Sequence, residues 1–197
     1  MHPNRSFEWR DREEMLRFVA EISFCTIFVA GPMLVHAPVL VQGKHRLLFH
    51  VSRGNRAVAA LDGARALVSC LGPDGYVSPD WYGTPGQVPT WNYLAVECEG
   101  PVRRLGEDEL AQSLDDPSAA HEARLAPKPQ WTRAKMMPSR FEAMLAGIIG
   151  YEVAIEEIRG TRKLGQHKQP AEILGVAAGL EASGKDRLAA LTRAEAS

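Results

Sequence analysis

Five of the eight tryptophan and tyrosine residues of this chain lie in one stretch that contains four glycines and four prolines. The stretch covers residues 72–93 and reads GPDGYVSPDWYGTPGQVPTWNY. Ligand sites are mainly apolar and aromatic, with a few placed polar groups. Rings in this stretch could stack on a flat heterocycle whose edges are fixed by hydroxyl and amide groups, namely Ser78, Thr84, Thr90 and Asn92. The alternative is a rigid surface loop whose aromatic rings fold back onto the core.

A second group of polar residues ends a predicted strand, in the run FHVSRGN. Strand alternation places His50 and Ser52 on one face, and Arg53 and Asn55 follow at the strand end, near a predicted helix start. Arginine and hydroxyl donors beside a helix N-terminus can hold a phosphate group. The alternative is an exposed strand end that carries ordinary solvated side chains.

A third group is basic and lies near the C-terminus, in the run RGTRKLGQHK at residues 159–168. It contains four Lys and Arg residues and no acidic residue, these being Arg159, Arg162, Lys163 and Lys168. The run could clamp a phosphate, contact nucleic acid or form a solvated basic turn, and short charge runs are most often the last of these.

Composition restricts the functions that these groups could have. The chain has 197 residues, 45% of them hydrophobic and 24% charged, with a net charge of −1, so bulk charge does not indicate polyanion binding. Three cysteines, Cys25, Cys70 and Cys98, lie far apart without a CxxC pair, which favours buried thiols over disulfides or a zinc site. The N-terminus lacks an apolar run typical of a signal peptide, and no window is apolar enough to span a bilayer. We therefore expect a cytoplasmic protein.

The elements that must position these groups are mostly strands. Asp11 and Glu14 begin an amphipathic helix with the spacing of a capping box. Apolar runs typical of strands follow at FCTIFVAG, MLVHAPVLV, RLLFHVS, ARALVSCLG, TWNYLAVECEGPVRRL and YEVAIEEIRG. GNRAVAALDG, GEDELAQSLDD and SRFEAMLAGIIG read as helices, and the tail reads as two helices separated by Ser183 and Gly184. This succession predicts a β-barrel with helical decoration rather than a doubly wound parallel sheet.

Several longer motifs, taken in order, resemble the PaiB-type family of FMN-binding negative transcriptional regulators. The family has a Pro and a Phe before the first helix, then a His-x-Pro strand, here His36-Ala37-Pro38. Its later motifs correspond to HVSRGNR, GPDGYVSPDWY, VPTWNY and KLGQHK, and the correspondence covers roughly residues 3–180. The chain is identified on these motifs as a member of that family, which belongs to the split β-barrel flavoproteins that include pyridoxine 5′-phosphate oxidase.

The resemblance implies a fold, a cofactor and a partner. The fold is mainly β with peripheral helices (α+β), an FMN-binding split β-barrel. We expect residues 1–168 to form the flavin-binding domain, with its N-terminal and inserted helices, and residues 169–197 to form a helical tail packed on it. The partner is a second copy of the chain, with FMN in a groove at the homodimer interface.

The resemblance also implies the cofactor contacts, position by position. The resemblance assigns contacts with the phosphate and ribityl end of FMN to His50, Ser52, Arg53 and Asn55. It assigns contacts with the flavin ring and the neighbouring ribityl atoms to Ser78, Trp81, Tyr82, Thr90, Trp91 and Asn92. It also implies that Lys163 and Gln166, in the late motif, approach the flavin. No metal ligand and no catalytic residue is implied.

The chain departs from the family pattern at five positions. Arg56 replaces a proline after Asn55, and Asp80 replaces a small residue before Trp81. In the late motif Ser-Gln-Asn-Arg becomes Gly165-Gln166-His167-Lys168, which loses a hydroxyl, an amide and a guanidinium fork. Lysine does not replace arginine at a bidentate site, so these departures could weaken FMN binding or change the choice of cofactor.

Functions from different classes remain open at this point. The leading hypothesis is a homodimeric FMN-binding protein with a negative regulatory role in transcription. An FMN-dependent oxidoreductase acting on a small molecule is the enzymatic alternative, and a haem-binding split-barrel protein is the remoter one. The sequence has no convincing helix-turn-helix and no basic excess, so we expect weak or no sequence-specific DNA binding.

Overall fold

The computed structural model describes residues 2–31 and 33–196. Met1, Pro32 and Ser197 lie outside the described residues, so the predicted break at Gly31-Pro32 is described only up to Gly31. The strands among the described residues are β1 (Glu8–Trp9), β2 (Phe24–Val29), β3 (Met33–Pro38), β4 (Leu40–Gln42), β5 (Arg46–Ser52), β6 (Arg65–Val77), β7 (Thr90–Arg104), β8 (Ile148–Ala154) and β9 (Glu157–Lys163). The helices are α1 (Arg12–Ile22), α2 (Val58–Leu61), α3 (Glu107–Ser113), α4 (Asp115–Ala123), α5 (Pro138–Leu145), α6 (Pro170–Ala182) and α7 (Asp186–Ala194).

The chain divides into two compact units, each built from separate stretches of sequence. The first unit comprises residues 2–15, 70–97 and 159–196, and the second comprises the other described residues, within 16–69 and 98–158. The long strands β6 and β7 contribute residues to both units. The predicted boundary between residues 168 and 169 stays a prediction, and α6 and α7 belong to the first unit.

The second unit is a set of antiparallel ladders around an apolar core. β2 pairs with β3 from Phe24↔Pro38 to Val29↔Met33, and β5 pairs with β8 from Arg46↔Ala154 to Ser52↔Ile148. β2 also pairs with β6, β4 with β5, and β7 with β8. Buried side chains from alternate positions fill the core, and the Phe49 and Tyr151 rings stack with their centroids 5.5 Å apart.

The first unit combines short ladders with the two C-terminal helices. β1 pairs with β9 through Glu8↔Thr161 and Trp9↔Gly160, and β9 also pairs with β7. α6 is buried at Ile173, Val176, Ala177 and Leu180, and α7 is buried at Leu188, Ala189 and Thr192. The buried face of α6 also packs on the short 3-10 helix Pro79–Tyr82.

The fold class is confirmed: the structure is mainly antiparallel β with helices. The pairing order β3-β2-β6-β7-β8-β5-β4 does not close on itself among the described strands. The first helix is also confirmed, because Asp11 Oδ1 accepts from the Glu14 amide at 2.9 Å. The Glu14 carboxylate accepts from the Trp9 indole at 3.0 Å.

Two sequence boundaries were wrong. The helix predicted over residues 139–150 ends at Leu145, and β8 begins at Ile148, where two successive isoleucines favour a strand. The single last strand predicted over residues 151–160 is two strands, β8 and β9. Among the described helices none is long and apolar enough to cross a membrane.

Candidate functional site

The aromatic stretch begins as a strand and continues as a capped 3-10 helix. β6 extends through Val77, because the two glycines and the single proline at 72–75 are compatible with extended backbone. The Ser78 hydroxyl then accepts from the Asp80 amide at 3.4 Å, and Pro79 occupies the first helical position. Gly83 ends this turn with φ +68°, a conformation that favours glycine.

Trp81 is packed against helix α6 of the same unit. A Cβ atom added at Gly179 would lie 2.2 Å from Cδ2 of the indole, and one added at Gly175 would lie 2.2 Å from the Trp81 carbonyl oxygen. Both glycines are therefore required for this close approach. The predicted contact of Trp81 with the flavin stays a prediction, while its helix-packing role is visible in the structure.

Alternation along β7 separates Trp91 from its neighbours. Thr90 and Asn92 share a strand face with buried Leu94, whereas Trp91 points to the opposite face and is 49% exposed. The Trp91 indole donates to Asp74 at 3.1 Å, and its ring meets the Tyr76 ring edge-on at 6.2 Å. The structure therefore does not bring Trp91 together with Thr90 and Asn92.

Lys163, at the end of β9, is half-buried and contacts only neutral acceptors. Its ammonium donates to Thr90 Oγ1 at 2.7 Å and to the Trp91 carbonyl at 2.5 Å, and it lies 5.6 Å from the centre of the Phe7 ring. Burial lowers the pKa of Lys163. Among the described residues no carboxylate forms an ion pair with this lysine, so its charge is not neutralised within the chain.

Lys168 and Tyr82 form the other side of the same region. The Lys168 ammonium donates to Gln87 Oε1 at 2.7 Å and lies 4.9 Å from the centre of the Tyr82 ring. Tyr82 is buried, and this burial raises its pKa, with the nearby Glu172 carboxylate adding to the shift. Glu172 itself accepts from Thr84 at 2.6 Å and from Gln87 at 2.9 Å, so it holds the 84–87 loop in place.

These side chains line a cleft of about 230 Å³ in the first unit, which we call the cationic cleft. Four predicted site residues line it, namely Tyr82, Thr90, Asn92 and Lys163. The lining also contains residues that were not predicted as contacts, namely His2, Asn4, Phe7, Gln87, Val88, Gly165, His167 and Lys168. The sequence signals for these residues are the phenylalanine before the first helix, the departures at Gly165 and His167, and the basic run 159–168, which contains Lys168 and has a phosphate clamp among its interpretations.

Two other predicted residues of the first unit do not line the cationic cleft. Ser78 caps the 3-10 helix as described. The Gln166 amide closes its own turn, since its Oε1 accepts from the Leu164 amide at 2.9 Å and its Nε2 donates to the Arg162 carbonyl at 2.5 Å. Gln166 thus shapes the backbone that carries Lys163 and Lys168.

The remaining predicted residues belong to the second unit. His50 lines an apolar cavity of about 340 Å³ together with Leu48, Phe49 and Trp131, and burial lowers its pKa. Ser52 is exposed at the end of β5, and its carbonyl accepts from the Asn55 amide at 2.8 Å.

Arg53 and Asn55 hydrogen-bond the backbone of their own unit. Arg53 Nε donates to the Ala146 carbonyl at 2.8 Å, and Asn55 Oδ1 accepts from the Ala57 amide at 2.9 Å. The assignment of the 50–55 group to a phosphate stays a prediction.

Comparison with known proteins agrees with the motifs. The family model described as "Putative FMN-binding domain" matches residues 1–157. The chain is 30% identical over 183 residues to "Protease synthase and sporulation protein PAI 2" of Bacillus subtilis (strain 168), which covers 89% of this chain and 87% of that protein.

Solved structures show a similar fold at low identity. The FAD and heme binding protein from Mycobacterium smegmatis matches with a TM-score of 0.59 and 20% identity, covering 79% of this chain and 73% of its own. The flavocytochrome Anf3 from Azotobacter vinelandii matches with a TM-score of 0.59 and 15% identity, covering 82% and 72%. The family model and the Bacillus relative show that the chain belongs to the PaiB-type family of FMN-binding proteins, with FMN as its cofactor.

Proposed function

We propose that this chain is a homodimeric FMN-binding protein with the negative regulatory role in transcription of the PaiB type. The observation that carries the proposal is the cationic cleft, where two lysines, a buried amide and aromatic rings meet and no described lining residue carries a carboxylate. FMN combines a flat ring, a hydrogen-bonding edge and a phosphate, so this set of donors fits its chemistry. When bound, FMN supplies redox chemistry, while the protein supplies binding and electrostatics.

The residues that would hold FMN in the first unit are Tyr82, Thr90, Asn92 and Lys163. Asn92 is 2% exposed, and its side-chain amide has no hydrogen-bond partner among the described residues. Because Asn92 lines the cleft, its side-chain amide can donate to and accept from a ligand there. The flat Tyr82 ring and the Lys163 ammonium supply an apolar wall and a positive charge.

The departures from the family pattern are compatible with this proposal. Asp80 is exposed on the 3-10 helix and does not line the cationic cleft, so its carboxylate is not among the groups that face the cofactor there. His167 and Lys168 do line the cleft, and both can donate hydrogen bonds. The contacts that the resemblance assigns to the 50–55 group are kept as a proposal that the FMN measurements below must test.

The homodimer is proposed because several large apolar side chains on the strands are exposed. Leu71 and Tyr76 on β6 and Trp91 on β7 are exposed in the first unit, and Phe24 and Phe28 on β2 are exposed in the second. Neighbouring apolar side chains of this size on a surface are typical of an interface. Light scattering should give twice the chain mass of 21.6 kDa, and a mass of 21.6 kDa would remove the dimer from the proposal.

The regulatory role is proposed to act without sequence-specific DNA binding by the isolated protein. The basic run 159–168 is engaged inside the unit: Arg159 pairs with Glu97 at 3.5 Å and Arg162 with Glu195 at 2.7 Å, while Lys163 and Lys168 face the cleft. No charge excess remains for a phosphate backbone, since the net charge is −1. A salt-dependent, nanomolar shift of one promoter fragment would contradict this part of the proposal.

The experiment that tests the cofactor is an absorbance scan of the purified protein, repeated after FMN is added and the excess is removed. Flavin bands that stay with the protein are expected. A Soret band would instead favour haem, and a spectrum that stays blank after FMN would overturn FMN binding by this chain.

A further inference from the structure

A large cavity of the second unit is lined by none of the predicted site residues. It has a volume of about 680 Å³ and is lined by residues of α4, of the 3-10 helix Arg133–Lys135, of α5 and of the connections between them. We call it the helical cavity. Its lining is mainly apolar and includes the rings of Trp131 and Phe141. This volume and this lining are typical of a site for a small molecule.

The charged groups of the lining favour a cation over an anion. Asp115 and Glu142 supply two carboxylates, and Arg133 is the one basic residue among the described lining residues, so the lining has one negative charge in excess. Arg133 binds Asp115 at 2.9 Å, and Glu142 forms no ion pair among the described residues. Lys135 and Arg140, close in sequence, do not line the cavity. The phosphate of FMN would therefore be disfavoured here.

The chain already places one planar cation against this lining. The Arg133 guanidinium lies 4.7 Å from the centre of the Phe141 ring and also binds the Asp115 carboxylate. A cation over the face of an aromatic ring is attracted by the negative charge of that face. Trp131 and Glu142 offer the same combination of ring and carboxylate in the same lining. A flat, positively charged ring system would repeat there the contacts that Arg133 makes.

We propose that the helical cavity binds a planar aromatic cation, with Trp131 as the stacking surface and Glu142 as the counter-charge. Such a ligand is different from FMN, whose phosphate is negatively charged. The binding of this cation therefore does not rest on the proposed function.

The test titrates ethidium, a planar aromatic cation, into the purified full-length chain and follows the fluorescence anisotropy of the dye. Trp131→Ala is expected to weaken ethidium binding about tenfold, because it removes the stacking surface. Glu142→Gln is expected to weaken ethidium binding about threefold, the loss of one exposed charge contact. Asp108→Asn and Leu125→Ala are the matched controls, because both residues are exposed in the same unit outside the cavity lining. Both control variants should bind ethidium as the wild type does.

Arg133→Gln separates recognition by the cavity from damage to it. Removal of the internal cation frees the Phe141 ring and the Asp115 carboxylate for the ligand. This variant is therefore expected to bind ethidium about threefold more tightly than the wild type, whereas a distorted cavity would bind the dye more weakly. Weaker binding by an Arg133→Gln chain that unfolds in urea as the wild type does would contradict the proposal.

FMN and the anionic dye 8-anilinonaphthalene-1-sulfonate are the charge controls, and neither should displace ethidium from the wild type. Displacement by FMN, or equal ethidium affinity in the wild type, Trp131→Ala and Glu142→Gln, would overturn the proposal. FMN binding without ethidium binding would remove this inference and leave the proposed cofactor in place. Ethidium binding that depends on Trp131, in a chain that does not bind FMN, would leave this inference standing and remove the proposed cofactor.

Discussion

The cationic cleft of the first unit and the 50–55 group of the second unit contain the same kinds of residue. Each offers a cation, an amide and a hydroxyl, and the sequence makes both regions candidates for binding an anion. In the structure Arg53 is exposed and donates to the Ala146 carbonyl, whereas Lys163 is half-buried and donates to neutral oxygens, and Asn92 is buried in the lining of the cleft. The two regions are therefore distinguished by how far the fold removes their polar groups from solvent, and residue type alone does not reveal this.

The largest expected effect concerns Trp81, which the family motif assigns to the flavin and the structure packs on α6. Gly179→Ala would place a Cβ atom 2.2 Å from the indole. Alanine is the better helix former by about 1 kcal/mol, but overpacking costs about 3 kcal/mol in a rigid contact. We expect the clash to dominate, with a net loss of about 2 kcal/mol in the free energy of unfolding, measured by urea denaturation.

The matched control for this prediction lies in the 50–55 group. Gly54 has no atom within 4 Å of an added Cβ, so Gly54→Ala should change the free energy of unfolding by less than about 0.5 kcal/mol. If Gly179→Ala were equally harmless, the indole would be free to move, and its assignment to the flavin would gain support.

Trp81 also shows how far sequence reasoning reaches. The period-two pattern of TWNYLAVE is enough to place Thr90 and Asn92 on the face of Leu94 and to point Trp91 the other way. The direction of the Trp81 indole depends on Gly175 and Gly179, more than ninety residues further along the chain, and no local pattern links them. The same holds for Arg53, whose partner is the carbonyl of Ala146.

The second prediction compares one cation from each region in FMN binding. Lys163→Gln is expected to weaken FMN binding about tenfold, because it removes from the cleft a charge that bonds only to neutral oxygens among the described residues. Arg53→Gln is expected to weaken FMN binding less than about threefold, because Arg53 Nε already donates to the Ala146 carbonyl. Loss of that hydrogen bond is expected to lower the free energy of unfolding by about 1 kcal/mol. Fluorescence titration with FMN and urea denaturation measure the two quantities.

The opposite ranking would be equally informative. An Arg53→Gln variant that loses more FMN affinity than Lys163→Gln would place the cofactor phosphate in the 50–55 group, as the resemblance implies. Trp91→Ala serves as a further comparison, because its ring lies on the exposed face of β7 and belongs to the site only if a second copy covers that face.

The smallest effect is electrostatic and compares a histidine from each region. Partial burial lowers the pKa of His167, and the charges of Lys168 and Lys163 lower it further, while burial alone lowers the pKa of His50. Since both folded pKa values lie below the ordinary value of 6.5, the unfolded chain binds these protons first, and stability falls as the pH drops below about 6.5 towards the lowered values.

An anion in the cationic cleft should separate the two histidines. It would screen the lysine charges and raise the pKa of His167 towards its ordinary value, whereas His50, which does not line that cleft, should keep its lowered pKa. Titration of the imidazole C–H signals by NMR, with and without phosphate, measures both pKa values in one sample. Because His50 is an internal reference, a shift common to both would indicate a change of the whole fold, and a shift confined to His50 would reverse the roles of the two regions.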